Sequence, residues 1–339
     1  MKKRVGIIYT GGTIGMMPTE NGYAPNPDAF PEMLEKIYDI SLPEFPDFEV
    51  ICMSRLLDSS NITYREWNEI GRIIRDNYAR FDGFVILHGT DTMAYTASAM
   101  SFMLEGLDKP VVFTGSQIPL CRVRSDGADN LVTSILVAAS DEVHEVCLYF
   151  GGMLMRGNRV TKISADDMQA FSSPNYPRLA EIGTRLVYRK KFMAPKSAIP
   201  FSLFEIHDAS IAVIKIFPGI DARLIDALIL GGARGIVLEA FGAGNIPSSP
   251  ELEAALSRAK DAGAVTVVVS QCGKGNVQLG AYEASMHLRT AGAVGGRDIT
   301  TEAAVAKLYY LFSKYGDIER IKELMETDIC GEISTEGSI

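Results

Sequence analysis

The sequence predicts an α/β protein of two domains: a larger N-terminal parallel or mixed sheet flanked by helices, and a smaller C-terminal α/β domain. Three observations carry this reading. Short apolar runs alternate with longer helix-periodic segments along most of the chain. The alternation breaks once, between about residues 188 and 208, where basic residues, prolines and mixed polarity accumulate. The 339 residues exceed a typical single domain, and 47% of them are hydrophobic, enough for two cores. The expected boundaries are 1–188 for the N-terminal domain, 189–209 for a linker and 210–339 for the C-terminal domain.

The first domain opens on a strand at 4–9 (RVGIIY), followed by strands at 48–54, 83–87, 110–114 and 146–150. Helices are expected between them at 31–40, 64–78, 92–104 and 128–139. Thr63 with Glu66 forms a capping box that opens the second helix. Right-handed crossovers bring every strand-to-helix loop out on the same sheet edge. The second domain repeats the pattern, with strands at 211–217, 235–239 and 265–270 and helices at 222–230, 250–262 and 301–315. Ser249 followed by Pro250 is a good N-cap and first-turn pair.

Composition narrows the function classes. The formal charge is −9 and no Lys/Arg-rich run occurs, which argues against nucleic acid as a partner. No stretch approaches the roughly 20 apolar residues of a membrane span, and the N-terminal apolar run of about five residues is too short for a signal peptide. Cys52, Cys121, Cys147, Cys272 and Cys330 are scattered without a CxxC, as in a reducing compartment, so a cytoplasmic location is expected.

Three predicted strand-to-helix loops are rich in hydroxyls and carboxylates. They are Thr10-Gly11-Gly12-Thr13-Ile14-Gly15, Leu57-Asp58-Ser59-Ser60-Asn61 and His88-Gly89-Thr90-Asp91-Thr92. Each alone reads as a capping turn; their recurrence at one edge makes a polar pocket for a substrate bearing amine, carboxylate and amide groups. The first is neither GxGxxG nor followed by GK[ST], so it fits a hydroxyl used in chemistry better than a phosphate cradle. No GxSxG elbow or HExxH is present, and His88, His144, His207 and His287 are the only histidines. A Ser-His-Asp triad and a zinc site are therefore disfavoured, and His88 reads as a packing residue or as one supporting the residues of the site from behind. The remaining base is a lysine whose burial lowers its affinity for the proton. Lys162 lies in a polar stretch after the fifth strand, but spacing alone does not prefer it to other lysines.

TGGTIG at 10–15, HGTDTMAYTA at 88–97, TGSQ at 114–117 and RGNRVTK at 156–162 together resemble the bacterial-type L-asparaginase family. The resemblance continues through GAGN at 242–245 to the last helices, and is greatest to the cytoplasmic type I branch, in which MAYTA follows HGTDT. It implies an asparaginase-like fold acting on L-asparagine, with glutamine a poorer substrate. It implies Thr13 as nucleophile, and Thr90, Asp91 and Lys162 as a second triad in which Lys162, oriented by Asp91, serves as base toward Thr90. Tyr23 matches a tyrosine on the segment that closes over the site, and 17–25 fits a lid. Asp58, Ser59 and Ser60 match the loop that holds the substrate's α-carboxylate and α-amine, with Asp91 also facing the amine. Neither metal nor organic cofactor is needed.

The resemblance further implies a homo-oligomer, a dimer or dimer of dimers. Asn245 matches a loop reaching a neighbouring protomer's site, although a plain glycine turn fits it equally. Thr161 and Cys272 match positions of a regulatory asparagine site in some type I enzymes. Glu239 stands where those enzymes have an arginine, so weak or absent activation by asparagine is expected. Two other readings compete. An ammonia-supplying component of a tRNA-dependent amidotransferase would carry an extra N-terminal domain, whereas here the motif starts by residue 10. A non-catalytic asparagine sensor would not need Thr13, Thr90, Asp91 and Lys162 together.

Overall fold

A computed structural model describes residues 2–20, 22–26, 29–280 and 283–335. The chain divides into two compact units, one comprising 1–173 and 177–205, the other 174–176 and 206–339.

The first unit is built on strands β1 (Arg4–Gly11), β2 (Asp47–Leu57), β3 (Gly83–Leu87), β4 (Val111–Thr114), β5 (Val146–Phe150), β6 (Met153–Arg156), β7 (Ala180–Ile182) and β8 (Leu186–Tyr188). They form one eight-stranded sheet in the order β8-β7-β6-β5-β4-β3-β1-β2. Helices α1 (Tyr64–Asn77), α2 (Met93–Met103) and α3 (Gly127–Ala138) cross between the parallel strands. The central strands are buried along their length, β1 from Val5 onward and β3, β4 and β5 throughout. Such continuous apolar runs are what a sheet covered on both faces requires. Thr63 and Glu66 complete the expected capping box on α1.

The sheet is mixed. From β1 to β5 the pairings are parallel, but β6, β7 and β8 add antiparallel strands beyond β5. The connection from β5 to β6 is only Gly151-Gly152, both at positive φ. So short a turn can only return antiparallel, because a parallel crossover needs about a dozen residues. The order also fixes the position of the site. The chain leaves β1 toward β2 on one side, while β3 pairs on the other, so the direction of winding reverses between β1 and β3. Such a reversal, at the C-terminal ends of the strands, is where open α/β sheets bind their ligands.

The segment expected as a linker is not free. Residues 189–205 pack within the first unit. Ser202–Leu203 pairs with Leu104–Glu105, and Phe201 stacks on Tyr78 at 3.7 Å between ring centroids. The buried carboxylate of Glu145 accepts from Arg156 Nε and from the Ala194 amide, each at 2.6 Å. Its prolines and basic residues serve an extended strap rather than a tether.

The second unit has strands β9 (Ile211–Lys215), β10 (Gly235–Ala240), β11 (Val265–Ser270) and β12 (Val294–Gly295), all parallel and in sequence order. Helices α4 (Arg223–Leu230), α5 (Pro250–Asp261), α6 (Thr301–Lys314) and α7 (Ile318–Met325) accompany them, with a further helix at Glu283–Thr290. Ser249 caps α5 by accepting the Leu252 amide, with Pro250 in the first turn. Lys307 and Glu332 form an ion pair at 2.6 Å with neither side chain exposed. Lys307 also donates to the carbonyls of Met325 and Thr327, and Glu332 accepts the amides of Ile329 and Cys330. Burial by itself raises the Glu332 carboxyl, but the charge of Lys307 and these hydrogen bonds outweigh it, and the group is held below the ordinary carboxylate range.

Removing one member of a buried pair strands the other, so Lys307→Met is expected to cost about 3–5 kcal/mol in urea unfolding. Lys307→Met with Glu332→Gln should lose less, because glutamine removes the stranded charge and keeps an acceptor for the Ile329 and Cys330 amides. Equal losses in the two proteins would contradict the electrostatic account.

Candidate active site

The three hydroxyl-rich loops meet at the reversal between β1 and β3. Gly11 ends β1 and Gly12 follows it, with φ of 116° and 80°. A Cβ on Gly11 would lie 2.3 Å from the Leu57 carbonyl oxygen, and one on Gly12 would lie 2.5 Å from the Gly89 amide nitrogen. A Cβ on Gly89 would in turn sit 2.6 Å from Ser59 Oγ. Both the conformation and the space therefore exclude side chains. Hydrogen bonds fasten the same loops: Thr10 Oγ1 donates to the Leu87 carbonyl at 2.9 Å, and Thr92 Oγ1 to the Ser59 carbonyl at 2.7 Å. Thr10, 1% exposed, is thus committed to holding β1 against β3.

Thr13 begins a single 3-10 turn, Thr13–Gly15, and is half-buried. Thr90 and Asp91 lie between β3 and α2. Lys162 Nζ donates to Thr90 Oγ1 at 2.9 Å and to Asp91 Oδ1 at 2.7 Å. The lysine arrives on the two-residue strand Thr161–Lys162, which pairs with Phe171–Ser172. Its side chain is 19% exposed, while that of Asp91 is 64% exposed. An ion pair so open adds little to stability; its effect is to place the amine against the Thr90 hydroxyl.

Gln117 joins this group, although TGSQ gave it no role as a sequence. Its Oε1 accepts from Thr90 Oγ1 at 3.5 Å, and its Nε2 donates to the Asp167 carbonyl at 3.0 Å. The Asp126 carboxylate accepts the Gln117 and Ile118 amides and fixes the turn after β4. The signal was present: a polar side chain just past a buried strand at the edge where the other site loops emerge.

Asp58 caps the 3-10 turn Ser59–Asn61, its Oδ1 accepting from Ser60 N at 3.0 Å and Ser60 Oγ at 2.9 Å. Ser59 is 2% exposed, whereas Asp58 and Ser60 are open to solvent. Tyr23 lies on the hairpin formed by Met16–Thr19 and Gly22–Pro25, and its hydroxyl accepts from Arg122 Nη1 at 2.8 Å. Of the residues linked to regulation, Thr161 is in the first unit beside Lys162. Glu239, Asn245 and Cys272 are in the second. There Glu239 accepts from Thr301 Oγ1 at 2.7 Å, Asn245 bridges to Phe241, and the Cys272 amide donates to Ser270 Oγ. Among the described residues, no three His, Cys, Asp or Glu side chains are grouped to hold a metal ion.

His88 lies directly beneath the third loop with no exposure. Its Nδ1 is 2.7 Å from the Gly89 carbonyl, so that nitrogen carries the hydrogen of a neutral ring. Nε2 is buried without a hydrogen-bond partner among the described residues, and the ring packs edge-on to Phe113. Burial pushes its pKa down to about 4, only partly opposed by the Gly89 hydrogen bond.

A family model described as "Asparaginase, N-terminal" matches residues 4–193, and one described as "Glutaminase/Asparaginase C-terminal domain" matches 210–325. The chain is 42% identical to L-asparaginase 1 of Escherichia coli K12 over 333 residues, covering 98% of each protein. It superimposes on the crystal structure of L-asparaginase I from Vibrio cholerae with a TM-score of 0.91 at 41% identity, covering 99% of this chain and 100% of that one. It is 33% identical to a glutamyl-tRNA(Gln) amidotransferase component of Methanopyrus kandleri, covering 97% of this chain and 74% of that protein.

The His88 environment has a pH signature. The folded value of about 4 lies below the ordinary 6.5, so the unfolded chain takes up the proton first as pH falls. The contribution is complete above pH 6.5 and lost toward pH 4, about 3 kcal/mol in all. In urea unfolding at pH 7 and pH 4.5, His88→Phe should lose about 2–3 kcal/mol less than the wild type between the two conditions. Asp328, which burial and the neighbouring Glu332 raise to about 6, titrates identically in both proteins and cancels. Parallel pH profiles would show that His88 is not held neutral.

Proposed function

The chain belongs to the asparaginase family, and on that premise we propose that it is an L-asparagine amidohydrolase, releasing ammonia and L-aspartate through an ester on Thr13. The observation that carries the reading is Lys162 Nζ within hydrogen-bond reach of both Thr90 Oγ1 and Asp91 Oδ1, on the loop whose Gly89 is packed against Gly12, the residue before Thr13. A nucleophile, a base and a group that orients the base are the parts covalent catalysis by a hydroxyl requires.

The asparagine side-chain amide enters the crevice between β1 and β3. Thr13 Oγ attacks the amide carbon, the C–N bond breaks, and the Thr13 proton leaves with the nitrogen as ammonia. Water then attacks the ester carbon and restores the threonine hydroxyl as aspartate departs. In its protonated form the Lys162 ammonium donates to Thr90; once it has given up a proton, it can accept the Thr90 proton while Thr90 takes one from water. Asp91 keeps the amine in place and offers its exposed carboxylate to the substrate's ammonium. The Asp58–Ser60 turn holds the α-carboxylate and α-amine, with Asp58 exchanging its bonds to Ser60 for bonds to substrate. Tyr23 closes from the hairpin. The protein works in the cytoplasm as a homo-oligomer, a dimer or dimer of dimers. The M. kandleri relative supports a second reading, an ammonia-supplying amidotransferase component; ammonia release from free L-asparagine by this chain alone, with no tRNA or partner protein added, favours the hydrolase.

Ammonia release from L-asparagine, L-glutamine and D-asparagine tests the proposal. L-Asparagine should be turned over fastest, with L-glutamine slower by about 10-fold or more, the limit set by one methylene being roughly 200-fold. Thr13→Ala should abolish turnover with an unchanged circular dichroism spectrum, and Lys162→Met should lower kcat by about 10²–10⁴-fold. Substantial turnover in Thr13→Ala, or a near-normal kcat in Lys162→Met, would sink the assignment.

Regulation is a separate expectation. The Glu239 carboxylate repels the carboxylate of an amino acid where a cation would attract it. Rate against asparagine concentration should therefore be hyperbolic, and a sigmoidal curve would count against this role of Glu239.

A further inference from the structure

The loop 115–126 touches both halves of the candidate site. Its first part sets Gln117 against Thr90. Its second part runs along the start of the hairpin that carries Tyr23. There the Leu120 amide donates to the Ile14 carbonyl at 3.0 Å, Cys121 Sγ to the Met16 carbonyl at 3.4 Å, and Arg122 Nη1 to the Tyr23 hydroxyl at 2.8 Å. The base of the loop is pinned by Asp126, which accepts the Gln117 and Ile118 amides, and by Asn130, which donates to the Gly115 carbonyl at 3.0 Å. Arg122 is therefore an exposed side chain on an anchored loop.

A guanidinium only donates, so the Tyr23 oxygen must accept, and its own proton points away from Arg122. A donor that is also a cation polarises the phenol and makes that proton a stronger donor to a third group. The guanidinium carbon is 6.0 Å from the Tyr23 ring centroid, at the outer limit of a cation–π contact, so the hydrogen bond is the stronger tie. We propose that Arg122 is a positioning residue that holds the Tyr23 phenol as a hydrogen-bond donor to the reacting groups. This rests on the reading of Tyr23 as part of the asparagine-hydrolysing site.

The test is a double-mutant cycle on kcat/KM for L-asparagine. Arg122→Met should lower kcat/KM about five- to tenfold in the wild-type background, the loss of one charge-assisted hydrogen bond near the surface. In a Tyr23→Phe background the same substitution should change it less than about twofold. Arg122→Lys should recover part of the loss. Equal losses in both backgrounds, or none in the wild type, overturn the proposal. Hydrogen exchange of residues 16–25 without substrate gives a readout independent of activity. If the wild type releases no ammonia from asparagine, the functional reading fails and exchange decides the positioning claim. Faster exchange in Arg122→Met then supports it, and unchanged exchange overturns it.

Discussion

The site depends on a backbone-to-backbone contact that only glycine permits. Gly12 approaches the His88–Gly89 peptide so closely that a Cβ would fall 2.5 Å from the Gly89 nitrogen, and Gly11 meets Leu57 in the same way. These contacts bring the ends of β1, β2 and β3 together at the point where the sheet reverses its winding. The three hydroxyl- and carboxylate-bearing loops, distant in sequence, are thereby held against one another. Gly15 extends the constraint: a Cβ there would lie 2.1 Å from the buried Tyr9 hydroxyl, whose ring stacks on Phe30. The turn bearing Thr13 is thus packed from below by the strand it leaves.

Within that frame the polar groups are arranged by unequal exposure. Thr90 is buried, Lys162 largely so, and Asp91 opens to solvent. An exposed carboxylate is poor at stabilising a fold but available to a cationic substrate group. The Lys162 amine spans the two, donating at once to the buried Thr90 hydroxyl and to the open Asp91 carboxylate. His88, directly below, contributes no charge, because full burial keeps its ring neutral at ordinary pH.

Much of this was legible in the sequence, where local rules and tertiary needs agree. The buried strands announced themselves as apolar runs, and Thr63, Glu66 and Ser249 marked helix starts that the structure shows. The strands β6 to β8 were not legible, because segments of three or four residues carry almost no periodicity, and the antiparallel return of β6 is set by the Gly151-Gly152 turn. The strap 189–205 read as a tether because its contacts are made one residue at a time, through Phe201, Ala194 and the Ser202–Leu203 pairing. Spacing could not select Lys162, since its partners lie 71 and 72 residues away. Family motifs supplied that link, and Gln117 was missed because its motif came with no chemical role attached.

The loop after β4 shows why a site of this kind needs more than its reacting groups. Thr90 is buried in the loop after β3 and bonded to Lys162 on its short paired strand, whereas Tyr23 rides on a hairpin and is 43% exposed. An exposed phenol on such a hairpin has many orientations, and each must be lost before it can serve the reaction. Loop 115–126 is anchored at its base by Asp126 and Asn130 and carries Gln117 to one group and Arg122 to the other. One loop thereby gives the exposed element the same reference frame as the buried one. The placement of Tyr23 relative to Thr90 therefore depends on that loop as much as on the hairpin itself.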